Sequence, residues 1–147
     1  MASVTPQQMQ APTYRRAIAL IAVAAAIAVA LLASPPDATA VAIRQTDPEL
    51  ILLLRFMAVV KATLALAALG VSLWRLGHPA SPVLALGYSF APALMCAAPI
   101  VIWQMTHVAA GAALFQAGFA TLLLSLYADR GQATELAKAA APRLGRA

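Results

Sequence analysis

Only 10% of the 147 residues are charged and only five of them are acidic, well short of the roughly 25% charge of soluble domains. A water-soluble fold of this size could not hide the side chains that fill the remainder. Cysteine occurs once, as Cys96, which excludes an intramolecular disulfide framework and a thiol-only metal site. None of the apolar segments contains Asp or Glu, and nowhere does a nucleophile sit beside a base. Without paired carboxylates in an apolar setting, the chain reads as a protein that is not an enzyme. Two histidines, His78 and His107, belong to opposite ends of their segments and cannot ligate one buried haem. Which cofactor, if any, the chain takes stays open at this point.

What the chain has instead is apolar: 63% of its residues are hydrophobic. Ten basic residues against five acidic ones give a net charge of +5. In a soluble protein that excess would suggest nucleic acid as a partner. Here it has a simpler origin, because bases collect on one side of a membrane, and no nucleic-acid role is expected. Eight arginines against two lysines, with abundant alanine, suggest a GC-rich coding bias and hence a bacterial cytoplasmic (inner) membrane.

The expected fold is all-α, an integral membrane four-helix bundle. Residues 1–16 are polar and end in Arg15 and Arg16; residues 17–33 contain only Ala, Val, Ile and Leu. At about 1.5 Å per residue this first segment is about 25 Å long, slightly short for a hydrocarbon core of roughly 30 Å. Two readings stand for it. One is a retained helix; the other is a signal peptide with a basic start, an apolar run, Pro35 and Pro36, and small residues at Ala38 and Ala40, whose removal leaves three helices. The run exceeds a usual signal core of about 7–15 residues, which favours retention. Residues 34–49 read as a polar outer loop, 50–74 as the second span, and 75–82 as an inner loop in which Ser81 and Pro82 start the next helix. Residues 83–103 form the third span, 104–107 a short outer loop, and 108–127 the fourth span. The tail, 128–147, is basic and alanine-rich, with a short surface helix expected to end before Pro142.

Basic residues orient the bundle. With both termini cytoplasmic, Arg15, Arg16, Arg75, Arg130, Lys138, Arg143 and Arg146 lie inside, while the outer loops hold Arg44 beside Asp37, Asp47 and Glu49. Tyr14, Trp74 and Tyr127 then mark inner interfaces and Trp103 an outer one.

Small residues allow membrane helices to approach closely. Gly111, Gly118 and Ser125 recur every seven residues in the fourth span, and Ala22, Ala26 and Ala30 every four in the first. These stripes fit packing within the chain or between copies.

A basic side chain at a helix centre costs about 2.5–3.5 kcal/mol on insertion scales, so two positions in the second span need an account. Arg55 lies near the outer end and can snorkel towards Asp47 and Glu49. Lys61 is deeper, and its small neighbours Ala58, Ala65 and Ala68 direct it at another helix. By depth alone the Met95 carbonyl, the Cys96 thiol and the Gln116 amide form a polar cluster with Lys61 in the outer half. Pro92 and Pro99 free the carbonyls of Tyr88 and Met95 and are expected to kink the third span. Met105 and His107 offer a thioether and an imidazole, ligand types that suit copper.

Three functions follow as expectations. The leading one is an accessory or anchoring subunit of a larger membrane complex, with the lipid bilayer and other membrane subunits or further copies of the chain as partners. The second is a small oligomeric transporter or channel for an anionic or neutral solute, with Lys61 in the path. The chain is similar in size to small multidrug exporters, but its first span lacks the intramembrane carboxylate that cation exchange needs. The third is copper handling at the periplasmic face through Met105 and His107.

Overall fold

The computed structural model describes residues 6–78 and 80–144, and side chains over 13–78 and 80–130. Lys138 and Arg143, as side chains, and Arg146 altogether lie outside the described residues. The described residues form five helices and no strand: α1 (Pro6–Leu32), α2 (Pro36–Gln45), α3 (Pro48–Leu76), α4 (Pro82–Trp103) and α5 (Val108–Leu144). Four contain stretches long and apolar enough to cross a membrane, namely Thr13–Leu32, Pro48–Leu76, Pro82–Trp103 and Val108–Arg130. With large apolar side chains such as Leu32, Phe56, Leu66, Val83 and Leu124 all exposed, the chain is a helical membrane protein.

Local chemistry sets the boundaries. Asp47 caps α3 by accepting from the Glu49 amide at 2.8 Å, and Pro48 follows at the first helical position. Ser81 caps α4, its hydroxyl accepting from the Leu84 amide at 3.4 Å, ahead of Pro82. After α4, Met105 takes a left-handed φ of 63°, which turns the chain into α5 through His107. Residues 34–49, expected to be a loop, instead contain α2. Pro36 at its start, Asp37 in its first turn and Arg44 in its last each favour a helix. The tail also differs from expectation: the backbone of α5 continues past Tyr127 to Leu144 as one helix, in place of a separate surface helix.

The four spans do not form a square. α4 is the hub, packed along α1, α3 and α5, whereas α1 and α3 meet only briefly. Burial follows: twelve residues of the α4 span are buried, against five of α3, five of the α5 span and three of the α1 span. The seams are built from small residues. Ala65, Ala68 and Ser72 of α3 are buried on the side facing the hub, and on α1 Ala26 and Ala30 pack on Ala97 and Val101. On α5, a Cβ added to Gly118 would lie 2.8 Å from the Ala91 carbonyl oxygen and 2.8 Å from Met95 Cγ. One added to Gly111 would lie 3.0 Å from the Ala98 carbonyl oxygen, and Ser125 lies over Gly87. The Gly111, Gly118 and Ser125 stripe is thus turned inward onto α4. Pro92 and Pro99 are buried within α4, which runs unbroken through both.

Candidate functional site

Polar side chains concentrate at the two ends of the bundle. At the Arg75 end, the Arg75 guanidinium grips Asp129 with two bonds, Nε to Oδ2 at 2.5 Å and Nη2 to Oδ1 at 2.6 Å. The hydroxyl of fully buried Tyr88 donates to the same Oδ2 at 3.2 Å. One carboxylate therefore joins α3, α4 and α5. Bidentate geometry makes this the strongest kind of side-chain pair, and the pair's side chains are only 19% and 15% exposed. Arg15 ties α1 to the same end, donating to the Ala80 carbonyl at 3.1 Å. Arg16 Nε donates to the Leu73 carbonyl at 3.0 Å, in the last turn of α3, where a helix end favours positive charge. Its guanidinium lies where a Cβ on residue 77 would be, so this contact requires Gly77. His78 stacks obliquely on Trp74, with ring centroids 5.2 Å apart.

The Trp103 end is arranged differently. Arg55 does not reach Asp47 or Glu49, as the sequence suggested; it lies over the Trp103 ring, 5.1 Å from the centroid. That is cation–π geometry, and it leaves the buried Arg55 Nε without a hydrogen-bond acceptor. Next to Trp103, Gln104 donates through Nε2 to the Leu31 carbonyl at 3.2 Å, while its buried Oε1 has no donor. Ser34 and Thr106 share a hydrogen bond between their hydroxyls, which fastens the end of α1 to the α4–α5 loop. Beneath Trp103 and Gln104 a cleft of about 400 Å³ opens between α1 and α3, lined by Leu31, Ala58, Val59, Ala62, Pro99 and Ile100.

The chain matches no family model, no curated protein and no solved structure. The polar groups must be interpreted from their own chemistry.

Midway along the bundle, the Lys61 ammonium lies 4.1 Å from the centroid of the Phe115 ring. Of the cluster expected around it, Met95 is buried in the hub core, Cys96 is half-buried, and Gln116 is exposed on the far side of α5. Gln116 is therefore turned away from the ammonium: one residue along a helix is about 100° of rotation, and it is Phe115 that faces inward. Lys61 and Arg75 lie on the side of α3 that reaches α5, so long side chains bridge two helices whose backbones stay apart. Met105 is nearly buried, whereas His107 is exposed, so the loop carries the two proposed copper ligands into different surroundings. Among the described residues, no three of His, Cys, Asp and Glu come together.

In the sequence Asp129 falls beyond the last apolar span, at 108–127, which hides its pairing with Arg75. A signal was present, since Asp129 lies four residues beyond Ser125 and so continues the Gly111, Gly118 and Ser125 stripe.

Proposed function

We propose that the chain is an accessory or anchoring subunit of a larger membrane complex, held with its Arg75 end in the cytoplasm of a bacterial cell. The orientation rests on Arg15, Arg16, Arg75 and Arg130, which all belong to that end, and on the preference of bases for the cytoplasmic side. The observation that carries the assignment is the exposed face of α5. There Gln116 projects from a surface made of Ala109, Ala113, Ala117 and Ala120, all exposed. An amide facing lipid lacks hydrogen-bond partners, and small residues around it let another helix approach to supply them. The inward stripe on α5 is already occupied by α4, so this second face is available to a partner subunit. Lys61 is covered by Phe115, which suits a packing role better than a solute path.

Purification in mild detergent with intact-complex mass spectrometry tests the reading. The wild-type chain is expected to carry a different membrane subunit, and Gln116→Leu with Ala113→Phe to lose it while the chain stays folded. Recovery of the chain alone, or only with copies of itself, would overturn the accessory role.

A further inference from the structure

We propose that the cleft between α1 and α3 is a binding site for one phospholipid bearing a primary ammonium, of the phosphatidylethanolamine class. Three observations lead there. First, the cleft is open between helices that barely touch, because Ala58 and Ala62 on α3 leave the space unfilled. Its roughly 400 Å³ lies within the roughly 300–1,000 Å³ of small-molecule sites. Second, its polarity runs in one direction. Ala58, Val59, Ala62, Pro99 and Ile100 line the part toward the bilayer centre, and Trp103 and Gln104, with Leu31 at their level, close the end. Arg55 stands one turn above Val59 on the same side of α3, over the Trp103 ring that forms part of the wall. An acyl chain below and a head group above match that gradient.

Third, of the three buried polar atoms without a partner among the described residues, the two at this end specify the head. Arg55 Nε is a buried donor without an acceptor, and Gln104 Oε1 a buried acceptor without a donor. Unmade bonds of this kind are costly in a low-dielectric setting. A phosphate satisfies the guanidinium, and an adjacent primary ammonium satisfies the amide oxygen. The charges at this end agree. Asp37, Asp47 and Glu49 outnumber Arg44 and Arg55, three acids against two bases, so the Trp103 end as a whole favours a head group that brings a cation with its phosphate. Phosphatidylcholine has the same charges but no N–H to offer. Phosphatidylglycerol has hydroxyl donors but adds a net negative charge to that end.

Delipidated full-length protein is challenged with phosphatidylethanolamine, phosphatidylcholine and phosphatidylglycerol of identical acyl chains, and retained lipid is counted by intact-protein mass spectrometry. One tightly held phosphatidylethanolamine is expected, about tenfold favoured over either of the others, the scale of one charge-assisted hydrogen bond. Gln104→Leu should abolish the preference over phosphatidylcholine, and Ala62→Leu, which fills the cleft without touching a polar group, should remove the retained lipid. Equal retention of all three lipids, a preference for phosphatidylglycerol, or phosphatidylethanolamine binding that survives Ala62→Leu would each overturn the proposal. Should Gln104→Leu fail to fold, Ala62→Leu and the lipid comparison on the wild-type protein still decide it.

Discussion

At the Arg75 end a guanidinium meets both oxygens of a carboxylate that also takes a phenol hydroxyl, whereas at the Trp103 end Arg55 meets an indole face and keeps a buried Nε without an acceptor. Both ends must position an arginine beside a bilayer. One does so with partners from its own chain, closing three helices around Asp129. The other is left open above an apolar cleft, between helices that scarcely touch. A group that the chain has satisfied itself holds the fold together; a group that it has left unsatisfied is where something from outside can bind.

Removing the carboxylate gives the largest expected effect. Asp129→Ala strips Arg75 and Tyr88 of their acceptor at once, and a loss of about 3 kcal/mol is expected in unfolding from detergent micelles. Replacing both partners, Arg75→Met with Asp129→Leu, should cost less than Asp129→Ala alone, because no buried charge is stranded. At the opposite end Arg55→Met should cost under about 1 kcal/mol, the scale of a partly exposed cation–π contact. If Arg55→Met proved as damaging as Asp129→Ala, the contrast between a clamped end and an open one would fail.

The α4–α5 seam sharpens the comparison, since the clamp can close only if the two helices approach along their whole length. Gly118→Ala places a Cβ 2.8 Å from the Ala91 carbonyl oxygen, which is backbone and cannot rotate away. A loss of about 2 kcal/mol is expected, as for overpacking elsewhere. Ala120→Leu, on the exposed face of the same helix, should leave monomer stability unchanged. A similar loss in both would mean that the seam does not determine the approach. Tyr88→Phe should follow at about 1 kcal/mol, one hydrogen bond to a carboxylate that keeps its two bonds from Arg75.

How far the sequence went can be judged from these same residues. The apolar runs located all four spans, because the bilayer demands long uncharged helices and leaves few alternatives. Caps at Asp47 and Ser81, each followed by proline, sharpened two boundaries. Depth along a helix was legible too, since rise per residue is nearly constant: Arg55 lies at the level of Trp103, and Lys61 at that of Phe115. Rotation about the axis was not legible from depth. Gln116 and Phe115 differ by 1.5 Å of rise but by about 100° of azimuth, and only the azimuth decides which one Lys61 meets. The glycine stripe held that information. Phe115 lies four residues after Gly111 and three before Gly118, on the stripe's own face, as Asp129 lies four beyond Ser125. Composition hid α2, because its ten residues are short and polar beside the spans; a helical reading had to come from its proline, its end charges and the short apolar face of Ala38, Val41 and Ala42.

The smallest expected effect concerns Lys61, between the two ends. Its ammonium over Phe115 contributes about 0.5–2 kcal/mol by cation–π attraction, against an insertion cost of about 2.5–3.5 kcal/mol for a charge deep in the bilayer. Methionine at this position keeps the length of the side chain and offers a sulfur–aromatic contact of about 0.3–1.5 kcal/mol. In detergent the cost of placing the charge in an apolar medium falls on the unfolded chain as well as the folded one, so the two aromatic contacts nearly cancel and Lys61→Met is expected to change stability by about 1 kcal/mol or less. Phe115→Leu should cost more in the presence of Lys61 than in the Lys61→Met background. The difference in a double-mutant cycle is expected to be about 0.5–1 kcal/mol. A coupling of zero would remove the aromatic partner from Lys61 and return its charge to lipid or to a neighbouring subunit. A positive coupling places Lys61 with the Arg75 end, among the groups that the chain satisfies itself, and leaves Arg55 as the cation that calls for a ligand from outside.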